Sequence, residues 1–66
     1  MRVTVNGEVR ETASGATVVA LLASLGIDPR KVAVEHNREI VPKSQYERLV
    51  LEPDDALEIV QFVGGG

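Results

Sequence analysis

The chain has 66 residues, with ten acidic and seven basic side chains and a formal charge of −3; that length holds one small domain, whose core supplies only about 3–5 kcal/mol of net stability. Cysteine is absent and His36 is the only histidine, which excludes a disulfide framework and all but excludes a Cys/His zinc site. The basic residues are scattered, with only Arg30-Lys31 adjacent, and no apolar run approaches a membrane span, so nucleic acid and membrane are not expected partners.

Arg2-Val3-Thr4-Val5-Asn6 alternates polar and apolar, the period of a half-buried strand. Asn6-Gly7 then predicts a type I′ hairpin turn, because both residues accept a positive φ. The return strand is expected over Val9–Thr12, followed by a loop at Ala13–Ala16. Thr17 suits a helix N-cap. Val18, Leu21, Leu22 and Leu25 fall on one apolar stripe behind it. Gly26 fits the residue just past the helix end, Ile27 folds back onto Leu22, and Pro29 blocks continuation.

Lys31–Glu35 reads as a short buried strand, Asn37-Arg38 as a turn, and Glu39–Val41 as a brief strand stopped by Pro42. Ser44 and Glu47 stand at capping-box spacing, predicting one or two helical turns over Gln45–Leu49. Pro53-Asp54-Asp55 is a turn, and Ala56–Val63 the last strand. The order ββ-α-β-β-(short helix)-β predicts an α+β domain at 1–63, one helix across a mixed sheet of about five strands, and a separate tail at 64–66.

In the last strand Leu57, Ile59, Gln61 and Val63 share the face expected to meet the helix. Ala56, Glu58, Val60 and Phe62 share the other, which Glu58 marks as wet. Val60 and Phe62 are either ordinary exposed apolar residues or an apolar patch for a protein partner. Gly64-Gly65-Gly66 is either a frayed end or cloning scar, or an arm whose terminal carboxylate reacts inside another protein. Three extended residues reach on the order of 10 Å, and a channel closed over bare backbone rejects a Cβ. Such a carboxylate needs activation by ATP. The chain has neither a phosphate-cradling loop nor a nucleophile–base pair to provide it. The chain is then a substrate and carrier, with catalysis supplied by partners.

Other candidates have plainer readings. His36 stands alone and reads as a solvated strand-end residue, Asp54-Asp55 as turn formers, Lys31 and Lys43 as solubilising lysines. Tyr46 reads as a half-buried cap over the sheet.

With these elements in place, the chain resembles the ThiS family, the ubiquitin-like β-grasp sulfur carriers of thiamine biosynthesis. The stretches that carry the likeness are Val5–Glu8, Thr17-Val18 with Leu21-Leu22, Val32–Asn37, Ile40–Tyr46, Leu57–Val60 and Phe62–Gly66. The Pro42-Lys43-Ser44-Gln45-Tyr46 segment and the short length separate it from molybdopterin-synthase small subunits. The resemblance implies that Gly66 is adenylated by a ThiF-type adenylyltransferase using ATP. A sulfur-donating enzyme then converts it to a thiocarboxylate, which passes sulfur to the thiazole synthase ThiG. It further implies that Gly65 matches the family's penultimate glycine, with Gly64 less diagnostic, and that Val60, Phe62 and Val63 lie where the carrier docks. No bound cofactor, a monomer when free, a cytoplasmic location and no proteolytic maturation are expected. The alternatives are a ubiquitin-like protein modifier or interaction module, or a sulfur carrier for another pathway such as molybdopterin synthesis. Pro53-Asp54-Asp55 departs from the family, where Gly-Asp is common before the last strand.

Overall fold

The computed structural model describes residues 1–62; Val63 and the three terminal glycines lie outside that range. Strands β1 (Arg2–Val5) and β2 (Glu8–Glu11) pair antiparallel from Arg2↔Glu11 to Val5↔Glu8. Asn6 at φ 51° and Gly7 at φ 82° make the turn as expected. Val3 and Val5 are buried, whereas all of β2 is exposed.

Helix α1 spans Val18–Ser24 and buries Val18, Leu21 and Leu22; Leu25 is only partly buried. Both ends of the helix have their open backbone groups met. Thr17 Oγ1 accepts from the amide of Ala20 at 3.2 Å. The amides of Val18 and Val19 donate to the carbonyls of Leu49 and Tyr46, so the docked 46–49 segment satisfies donors that a helix leaves open. At the other end Gly26 takes φ 72°. Its amide donates to Ala23, and that of Ile27 to Leu22, the paired bonds of a Schellman ending.

A 3-10 turn at Pro29–Lys31, capped by the Asp28 carboxylate, leads into β3 (Val32–His36). Asp28 is held down to about 2, first by its side-chain bond from Arg30 and then by the Arg30 amide. Asn37 at φ 49° and Arg38 at φ 73° turn the chain into β4, only Glu39–Ile40. Strand β5 runs over Ala56–Gln61, with Phe62 just beyond it.

The sheet order is β2-β1-β5-β3-β4. β5 lies parallel to β1 and antiparallel to β3, so the sheet is mixed and the domain two-layered, as the element order predicts. Leu57 and Ile59 are buried together with Leu21, Leu22, Val32 and Val34. Each fully buried Leu contributes about 1.5–3 kcal/mol relative to exposure. Leu51 and Val41 complete the core from the loops.

Two expectations need correction. The second helical segment is a 3-10 turn at Lys43–Gln45, with Pro42 at its N-cap and no side-chain cap. Ser44 therefore sits inside the turn and the Ser44–Glu47 capping box is not formed. The segment's register is set instead by Tyr46, whose hydroxyl donates to the Val32 carbonyl at 3.1 Å. Tyr46 is also buried rather than half-buried, and burial pushes its hydroxyl pKa up. The turn before β5 needs a residue that accepts a positive φ. Asp54 takes φ 70°, a conformation that glycine adopts without strain and that Asp tolerates.

Candidate functional site

Among the described residues nothing covers the face of the sheet away from α1. Cross-strand pairs fix its layout: Val60 opposes Ala33, Glu58 opposes Glu35, and Glu35 in turn opposes Ile40. Val60 is 62 % exposed, and Ile40 and Val9 are exposed too. Glu35 and Glu58 place like charges directly across from each other, which costs stability. An uncovered apolar surface carrying an adjacent acidic pair is thus built into the last strands.

Phe62 follows at the exit of β5. Its amide donates to the Lys31 carbonyl at 3.0 Å, and the residue stays 54 % exposed. The Lys43 ammonium lies 5.0 Å from the ring centroid and donates to the Arg30 carbonyl at 2.7 Å. Lys43 is therefore more than a solubilising lysine: it joins the 3-10 turn to the strand exit through a cation–π contact. Nothing in the local sequence signals this, because the two residues meet only through the sheet. Val60 and Phe62 are exposed and close along the strand, as expected. Val63, Gly64, Gly65 and Gly66 fall outside the described residues.

At the opposite end of β5 a second cluster forms. The Asp55 carboxylate lies 2.7 Å from His36 Nε2 through Oδ2 and 3.2 Å from Asn37 Nδ2 through Oδ1. Oδ2 also accepts from the Glu52 amide at 2.8 Å. Burial alone would raise the Asp55 pKa, but the Glu52 amide, His36 and Asn37 together outweigh it and hold the carboxyl below its ordinary value. An ionised carboxylate only accepts, so Nε2 of His36 carries the shared proton. The Asn37 side chain accepts from the Ala56 amide at 2.9 Å. The cluster ties the β3–β4 turn to the turn before β5, so His36 is paired rather than solvated. Seven residue steps of extended chain lead from Asp55 to Phe62, about 23 Å, which puts His36 out of reach of the strand exit. Among the described residues no group of three or more His, Cys, Asp or Glu could hold a metal ion. No helix there is long and apolar enough to cross a membrane.

The ThiS family model matches residues 3–66. The chain belongs to the ThiS family. A crystal structure of the thiamine biosynthesis protein ThiS from Geobacter metallireducens superposes with a TM-score of 0.86, at 32 % identity over 100 % of both chains. This makes the fold the ubiquitin-like β-grasp. The sulfur carrier protein ThiS of Bacillus subtilis is 46 % identical over 76 % of each chain. A thiazole synthase from Paramagnetospirillum magneticum is 54 % identical over the whole of this chain, which spans only 20 % of that protein's length. Family model, relatives and fold thus agree on a ThiS-family β-grasp chain.

Proposed function

We propose that the cargo site of this ThiS-family chain is the carboxylate of Gly66. The observation that carries the reading is the extent of the family match, which runs through the glycine end to residue 66. The carboxylate attacks the α-phosphate of ATP on a ThiF-type adenylyltransferase, and pyrophosphate leaves. The resulting acyl-adenylate is the electrophile that a free carboxylate is not. The outer sulfur of a persulfide on a sulfur-donating enzyme attacks the acyl carbon and AMP departs; a second thiol then attacks the enzyme-side sulfur of the acyl disulfide, forming a disulfide and leaving a C-terminal thiocarboxylate. Because this chemistry needs ATP, we place it in the cytoplasm.

The carrier supplies recognition and reach. Val60 and Phe62 offer an apolar docking patch, to which Val63, the next residue in sequence, is assigned with them; Gly64 belongs to the tail, and Glu35 and Glu58 favour a partner with a basic rim. Thiazole synthase is the recipient we favour, supported by the relative that holds a matching stretch within a protein of that name.

Glycine at position 65 is explained by a partner channel too narrow for a Cβ. Pyrophosphate release with a ThiF-type enzyme and ATP tests this. The chain as it stands should release pyrophosphate, and Gly65→Ala should lower kcat/KM on the order of a hundredfold, the scale set by misplacing a reacting group. Equal rates for the two would remove the steric argument.

A further inference from the structure

We propose that Asn6 is a positioning residue for the reactive end, its carboxamide standing in for the next peptide group of β1 and fixing the course of β5 ahead of the tail. What the tail does rests on the carrier reading above; the clamp itself rests on geometry alone.

Strand β1 pairs with β5 only at Thr4↔Ala56 and Val5↔Leu57. The Asn6 amide adds one more bond, to the Leu57 carbonyl at 2.9 Å. The chain then turns away at Asn6-Gly7, while β5 continues to Gln61. The next groups of β5 on that edge are the N–H and C=O of Ile59. The Asn6 side chain meets both: Oδ1 accepts from the Ile59 amide at 2.7 Å, and Nδ2 donates to the Ile59 carbonyl at 3.2 Å.

A carboxamide carries a donor and an acceptor in one plane, as a peptide group does. Aspartate at this position would keep the acceptor but set its second oxygen against the Ile59 carbonyl. The position must also tolerate φ 51°, which Asn does more readily than most residues. Two independent demands thus converge on asparagine.

On its other edge β5 pairs with β3 as far as Val32↔Gln61, and Phe62 donates to Lys31. Ile59 gives both its backbone groups to Asn6 while its neighbours Glu58 and Val60 pair with Glu35 and Ala33 of β3, so this is the last described stretch of β5 held on both edges. A strand held on both edges leaves in one direction, so less freedom is lost when a partner takes up the chain end. The effect belongs to binding and should appear in KM rather than kcat.

The test compares the full-length chain with Asn6→Gly, which keeps the turn conformation without the carboxamide, and Asn6→Asp, which keeps the acceptor alone. Hydrogen exchange at the Ile59 amide and steady-state adenylation by a ThiF-type enzyme are measured together. In Asn6→Gly, Ile59 exchange should rise about tenfold, as loss of two hydrogen bonds implies. KM should rise several-fold, roughly threefold to tenfold, with kcat unchanged. Asn6→Asp should fall between, and exchange at Leu21 should not change in either. Unchanged Ile59 exchange would overturn the clamp, and unchanged KM despite faster exchange would overturn its positioning role. Should the unaltered chain not be adenylated at all, the carrier reading and the positioning role fall together, while Ile59 exchange still decides the clamp.

Discussion

Asp55 shows how one side chain can hold two loops that are remote in sequence. Its carboxylate bonds to His36, Asn37 and the Glu52 amide, and its pKa lies below the ordinary 3.8. A depressed folded-state value means that the charged form is preferred in the native chain. The stability it contributes is complete above the unfolded value, about pH 4, and is lost as pH falls through the lower folded value. Urea unfolding between about pH 6 and pH 2 checks this. Asp55→Asn should cost about 1–3 kcal/mol at neutral pH and flatten the acid side of the profile. Parallel profiles for the two proteins would contradict the assignment. At this scale the sequence was legible where chemistry is local. Asn6-Gly7 announces its own turn, and Pro53-Asp54-Asp55 does the same. The pairing of His36 with Asp55 was not legible, since the partner lies 19 residues away and is delivered only by the sheet. The Asn6 carboxamide was hidden for the same reason, because Ile59 is 53 residues distant.

Elements were readable in proportion to how far each is specified by its own residues. Helix α1 carries its cap, stripe and terminator within Thr17–Ile27, and each part forms as its residues imply. The 3-10 turn at Lys43–Gln45 does not, because a buried Tyr46 and its bond to Val32 outweigh the capping potential of Ser44. Packing energetics give a direct check of the layer arrangement. Leu22 is fully buried, so Leu22→Ala should cost about 2–5 kcal/mol, close to the whole net stability of a domain this small. Val9 lies on the uncovered face, and Val9→Ala should change stability by less than about 0.5 kcal/mol. Thermal melts of the two variants should therefore differ widely; similar midpoints would mean that α1 covers the other face.

For the whole molecule, β5 connects two ends with different work. Its start is locked by the Asp55 cluster, and its exit presents Val60 and Phe62 beside the route to the tail. The half-exposed Phe62 should matter more to a partner than to the fold. Phe62→Ser is expected to weaken binding to a ThiF-type enzyme by more than about 1 kcal/mol, measured by calorimetry, while stability changes by less than that. Equal losses in both would make Phe62 a core residue. The absence of cysteine acquires a meaning at this scale: with no thiol in the chain, the proposed reading puts the sulfur on the Gly66 carboxylate. The most direct measurement is the intact mass after incubation with a ThiF-type enzyme, ATP and a cysteine-derived sulfur source. The account predicts a chain heavier by the difference between sulfur and oxygen, with the gain on the C-terminal peptide. An unchanged mass in the presence of a demonstrably active enzyme and sulfur source would contradict it.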